Sequence, residues 1–157
     1  MLKTLPRYPF NSQFLQVQGH SIHVVTLGDP SRRPMLFLHG NPTSSYVWRE
    51  VIQRVHAETG RYCVALDLLG FGKSDKPTDV TYTLDLHANI IADVITQLGL
   101  KDISLVAEDW GGPLGMLNAV RQPGLFSEAI LMETFLWSFT YQEDFEPKFR
   151  TPFKLMR

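Results

Sequence analysis

The sequence predicts an α/β fold, a mostly parallel sheet with helices on both faces. Three observations predict it. Short apolar runs at 35–38, 62–66, 103–107 and 129–132 have the length and composition of buried strands. Between them lie stretches with apolar residues at helical spacing, at 48–58, 84–98 and from 111 to about 122. Strand and helix alternate along the chain, the grammar of a parallel sheet joined by crossover helices.

The 157 residues, 44% of them hydrophobic, suffice for one domain with a real core. A net charge of -1 leaves no basic field for nucleic acid. The single cysteine, Cys63, excludes an internal disulfide framework and reads as a small core residue. No apolar run is long enough for a signal peptide or a membrane span. Pro42 in the middle of Asn41-Pro42-Thr43 removes that stretch as a glycosylation acceptor. The expectation is a cytoplasmic protein without nucleic-acid or membrane partners.

Residues 1–12 are polar and proline-bearing and read as an irregular lead-in. Strands at 14–17 and 22–27 flank the turn residues Gln18 to Ser21 and predict an antiparallel hairpin. His20 is read as a turn residue and His23 as a strand-surface residue. A loop at 28–34 leads to the apolar strand 35–38, which runs into His39-Gly40-Asn41-Pro42. His39 reads as a structural histidine holding that loop. The helix at 48–58 has a stripe of Trp48, Val51, Ile52 and Val55, with Thr43, Ser44 or Ser45 as its cap. After the strand 62–66 comes the turn-rich loop 67–77, in which Ser74, Asp75 and Lys76 read as loop and surface residues that organise the turn with Asp67. The next helix carries Leu86, Ile90, Ile91, Val94, Ile95 and Leu98 on one side and stops at Gly99. His56 and His87 lie on helices and are expected to be exposed.

The stretch Leu105 to Gly112 is the centre of the chain. An acid, Asp109, stands on a sharp strand-to-helix turn between Ala107 and Gly111. That is the setting of a nucleophile elbow, which needs small neighbours because strand and helix backbones come close. A carboxylate there can attack carbon and form a covalent ester. The plainer reading is a helix N-cap. As a weak nucleophile, a carboxylate needs a good leaving group, such as a halogen on an sp3 carbon or a strained epoxide oxygen. Departing halide gathers negative charge. The ring N–H of Trp110 and the amide of Asn41 are uncharged donors suited to it. Trp110 also fits as a core aromatic, and Asn41 as a turn residue. Glu133, at the end of the strand 129–132, is either a solvated strand end or the acid that orients a histidine. Glu108 beside Asp109 is expected to point elsewhere. In parallel sheets ligands bind beyond the carboxyl ends of the strands, where 39–42, 67–70, 108–110 and 133 all fall.

The stretches His39 to Arg49, Asp67 to Pro77 and Asp109-Trp110-Gly111-Gly112 resemble the haloalkane dehalogenases of the α/β-hydrolase superfamily, over residues 14 to about 155. The resemblance implies an α/β-hydrolase fold, truncated after about the sixth strand. It divides the chain into 1–133, the N-terminal part of the main domain, and 134–157, the beginning of a cap. It makes Asp109 the nucleophile, Asn41 and Trp110 the halide-binding pair, and Glu133 the catalytic acid. The implied reaction turns a small halogenated alkane into alcohol, halide and a proton, with no metal or organic cofactor.

The family's water-activating histidine is expected downstream, in a chain about twice as long, with the rest of the cap. The parent is expected to be a monomer, and the fragment to self-associate through an open sheet edge. On its own the chain is expected to show no turnover. Related epoxide hydrolases share Asp-Trp-Gly-Gly but usually differ at the position of Asn41. A non-catalytic hydrolase fragment and a light-producing relative are the other readings. Glu108 departs from the family, whose members usually carry histidine or glutamine there. Phe135, Trp137 and Phe139 either line the entrance or join the cap to the main domain.

Overall fold

The computed structural model describes residues 8–136. It contains strands β1 (Asn11–Val17), β2 (His20–Leu27) and β3 (Pro34–Leu38), a 3-10 turn (Ser45–Trp48) and helix α1 (Arg49–Thr59). Strand β4 (Tyr62–Leu66), helix α2 (Leu84–Gln97), strand β5 (Ile103–Asp109), helix α3 (Gly111–Arg121) and strand β6 (Phe126–Thr134) follow. The six strands form one sheet in the order β1-β2-β4-β3-β5-β6. The hairpin β1–β2 is antiparallel and joins β4 antiparallel, while β4–β3, β3–β5 and β5–β6 are parallel. The expected mixed, mostly parallel sheet is what the chain forms.

Side-chain alternation explains why both faces need covering. Along β3, Leu36 and Leu38 enter one core with Val64 and Leu66 of β4 and Ile90, Ile91, Val94 and Ile95 of α2. Met35 and Phe37 point the other way, into a second core with Cys63, Ala65, Trp48 and Ile52. Strands buried on both faces read as continuous apolar runs. Helix α1 covers one face, and α2 and α3 the other. Cys63 is fully buried, and burial pushes its thiol up to about 11, as befits an inert core residue.

Several expectations change. Strand β1 begins at Asn11, inside the stretch read as an irregular lead-in. Strand β6 is longer than expected at both ends. Val51 is exposed, because only Ile52 of α1 turns fully into the sheet. Ser44 caps the 3-10 turn rather than an α-helix. His23 is not on a surface. Strand β2 is paired on both sides and covered on both faces, so it has no surface side. The cap at 134–157, with Trp137 and Phe139, lies outside the described residues except for 134–136.

Buried His23 is satisfied by a polar cluster at the end of β4. Its Nδ1 lies 2.8 Å from Asp67 Oδ2, its Nε2 2.8 Å from Ser12 Oγ, and its backbone N–H donates to Ser74 Oγ. Asp67 also accepts from the backbone N–H groups of Ser45 and Lys73, each at 2.7 Å. Burial alone would raise its pKa. The bonds from His23, Lys73 and Ser45 outweigh burial and hold the carboxyl at about 2. Ser74 is buried rather than at the surface, and it donates to the Asp67 carbonyl, organising the turn with Asp67 as expected. This cluster fixes the loop after β4 beside the loop after β3.

Candidate active site

Asp109 is the last residue of β5 and has a φ of +45°, in the left-handed region that side chains beyond glycine rarely adopt. The chain turns there and enters α3 through Gly111 and Gly112. A Cβ at Gly111 would run into the carbonyl of Leu38, and one at Gly112 into the Thr134 side chain. Further along, a Cβ at Gly115 would press on the Leu105 side chain. The glycines thus let α3 lie directly on the sheet. Thr134 Oγ1 donates to the Asp109 carbonyl at 2.6 Å, fastening the turn to the end of β6. Strain at such a turn is held by its surroundings.

The carboxylate of Asp109 faces the loop after β3. Its Oδ1 accepts the backbone N–H of Asn41 at 2.8 Å. Gly40 must lack a side chain, because a Cβ there would overlap the Asp109 carboxylate. The loop carries a cis Asn41-Pro42 bond. It is held by Thr43, whose N–H and Oγ1 both donate to the Gly40 carbonyl at 3.0 Å. His39 is fully buried beneath it. Its Nδ1 donates to the Gly40 carbonyl at 2.8 Å, and its Nε2 accepts the Leu68 N–H at 2.9 Å. With both ring nitrogens engaged, His39 ties the loop after β3 to that after β4, the structural role expected. Burial pushes its pKa below the ordinary value.

Asn41 and Trp110 both line a cleft of about 580 Å³, together with Leu68, Phe71, Tyr82, His87 and Leu114. Trp110 is 40% exposed, which removes the core-aromatic reading, and Phe135 meets it edge-on at 5.0 Å. Neither Asp109, which precedes Trp110 at its edge, nor Glu133 is part of the cleft wall. Between Glu108 and Asp109 the β5–β6 ladder skips it, leaving Glu133 exposed in a bulge with a φ of +42°. Glu108 is half-buried. Burial first, then the charges of Asp109 and Glu133, push its carboxyl up. The three acids at this strand end therefore share one electrostatic field, and Glu108 does not stand apart from it.

The part of the cleft built by α2 and the loop before it was not expected. His87, expected to be exposed, is half-buried in the cleft wall. Its sequence signal is the spacing to Ile90, Ile91 and Val94, which continues the buried stripe back to His87. His56 is half-buried too, with Nδ1 2.9 Å from the Arg61 carbonyl.

The α/β-hydrolase fold profile matches residues 33–157. The chain belongs to the α/β-hydrolase family. It is 37% identical over 130 residues to a haloalkane dehalogenase of Mycobacterium bovis, covering 83% of this chain and 44% of that protein. It is 42% identical over 125 residues to one of Mesorhizobium japonicum, covering 78% of this chain and 39% of that one. The solved haloalkane dehalogenase DbeA of Bradyrhizobium elkani superposes with a TM-score of 0.83 at 32% identity, over 92% of this chain and 49% of that one. An epoxide hydrolase of Vigna radiata superposes with a TM-score of 0.72 at 30% identity, over 78% and 39%. The chain thus spans less than half the length of these curated relatives. Its matched part corresponds to the N-terminal ~130 residues of a ~300-residue haloalkane dehalogenase. Among the described residues no helix is long and apolar enough to cross a membrane.

Proposed function

We propose that this α/β-hydrolase chain carries the nucleophile and halide site of a haloalkane dehalogenase. The observation that carries the reading is Asp109, set on a left-handed turn with one carboxylate oxygen held by Asn41, beside a cleft that Asn41 and Trp110 line.

The two oxygens of Asp109 have different tasks. Oδ1 is occupied by the Asn41 N–H, so Oδ2 is the attacking atom. Its lone pair forms a bond to the sp3 carbon as the carbon–halogen bond breaks, and halide leaves with the bonding pair. The Asn41 amide and the Trp110 ring N–H stabilise that anion. The product is an alkyl ester of Asp109. In its hydrolysis the Oδ1 side becomes the oxyanion, and the Asn41 backbone N–H is in place to stabilise it.

Hydrolysis also needs a base to take the proton of water. All five histidines lie in the described residues. His23, His39 and His56 hold structural contacts. His20 stands on the β1–β2 hairpin, three strand spacings or roughly 14 Å from β5. The Nδ1 acceptor of His87 is buried. With no histidine placed to take that proton, the 157-residue chain is expected to stop at the ester. Glu133 is the acid that would orient a base supplied from outside these residues.

The test is intact mass after exposure to 1-bromohexane or to 1,2-epoxyhexane. The expected result is one hexyl group per chain from the bromide and none from the epoxide. Selective addition of the epoxide supports the second reading, an epoxide hydrolase, which the Vigna radiata likeness brings forward. Addition of neither supports a non-catalytic hydrolase fragment.

A further inference from the structure

The geometry points to His87 as a hydrogen-bond donor in the cleft, selecting haloalkanes that carry a hydroxyl or ether oxygen away from the carbon–halogen bond. The inference rests on the dehalogenase reading for its substrate class.

Lys76 Nζ donates to the carbonyls of Gly72 (2.7 Å) and Ser74 (3.0 Å). The Tyr82 hydroxyl donates to the Pro77 carbonyl at 2.8 Å. Thr83 Oγ1 caps α2 by accepting the Leu86 N–H. Asn41 stands at the reacting end, next to Asp109. The ring N–H of Trp110 is given to the halide on the proposed reading, and His87 is the lining side chain with a buried polar atom that has no hydrogen-bond partner.

Its two ring nitrogens differ. Nδ1 is buried without a hydrogen-bond partner, whereas Nε2 is not shut away in this manner. A buried N–H without an acceptor costs more than a buried lone pair without a donor, so the ring proton belongs on Nε2. Burial, and then the neighbouring His39, hold His87 below its ordinary pKa, so the ring stays neutral near pH 7. Tyr82 flanks it, ring centroids 5.9 Å apart. His87 therefore keeps its N–H on the ring edge that is not shut away, in the wall of a cleft that also includes Leu68, Phe71 and Leu114. An uncharged oxygen is the matching ligand. An ammonium finds no acceptor at His87, and a plain alkyl chain leaves the donor unpaired.

Two measurements test this on the 157-residue chain. The first is a long-range 1H–15N spectrum of the histidine rings, with and without hexane-1,6-diol. The expected result is the Nε2–H tautomer for His87 and a shift of its nitrogens on adding the diol. The second compares rates of ester formation at Asp109 from 6-bromohexan-1-ol and 1-bromohexane. The hydroxylated substrate is expected to react about 2- to 10-fold faster. That advantage should vanish in His87→Phe and persist in His87→Gln, which keeps an amide donor. An Nδ1–H tautomer, or equal rates with no diol-induced shift, overturns the inference. If neither bromide forms an ester, the Asp109 reading fails, and the diol titration alone decides whether His87 binds an oxygen.

Discussion

The backbone N–H of Asn41 and the side chain of Asp109 meet at 2.8 Å, although 68 residues separate them in the chain. The contact joins the end of β3 to the end of β5, neighbours in the sheet. It divides the carboxylate into a held oxygen and a free one. Asn41 also lines the cleft, so on the proposed reading its backbone serves the nucleophile and its side chain the leaving group. Asn41→Ala keeps the backbone contact and removes only the side-chain donor. Ester formation from 1-bromohexane, followed by intact mass, is expected to slow about 100-fold with little change in melting temperature.

Gly40 gives a sharper prediction, because a Cβ there would overlap the Asp109 carboxylate. Gly40→Ala must displace either the loop after β3 or the Asp109 side chain. Ester formation should fall below detection while the far-ultraviolet circular dichroism stays that of the parent chain. A variant that still reacts at the parent rate would show that the nucleophile does not need this geometry.

Gly111→Ala tests the elbow itself. Its Cβ meets the backbone carbonyl of Leu38, which has no rotamer to escape into. Loss of soluble folded protein, or destabilisation of about 3 kcal/mol in urea, is expected. Near-parental stability would mean that α3 does not bear on β3 as described.

Acid should weaken the fold in two stages. Burial keeps His39 neutral in the folded state, with its pKa below the usual 6.5. The unfolded chain therefore takes up a proton there first, and stability begins to fall as pH drops below about 6.5. Asp67 acts lower. Its folded pKa of about 2 lies below the ordinary 3.8, so its contribution is complete above pH 4 and is lost as pH falls through about 2. Urea unfolding at pH 7, 5, 3 and 2 measures both stages. Asp67→Asn should cost about 3 kcal/mol at pH 7 and flatten the lower one.

The sheet and the elbow were legible because both are written in local patterns. Apolar runs such as 35–38 and 62–66 announce strands covered on two faces. An acid between Ala107 and Gly111 announces a tight turn. What local pattern does not carry is how a buried polar side chain is satisfied. His23 looked like a surface residue because its partners, Asp67 and Ser74, lie 44 and 51 residues away. Glu133 lies inside β6 rather than past its end, and the bulge that holds it arises from mismatch with β5 and has no signal of its own. His87 stands on a helix, where a histidine is ordinarily solvated, while its spacing to Ile90 and Ile91 places it on the buried side.

The central claim is that Oδ2 of Asp109 displaces halide and that this chain goes no further. The most direct measurement pairs bromide release from 1-bromohexane with tandem mass spectrometry of the modified peptide. The account predicts one bromide per chain and then none, with a single hexyl group on the carboxylate of Asp109. Continued release at many equivalents per chain, or a hexyl group on any other side chain, would contradict it.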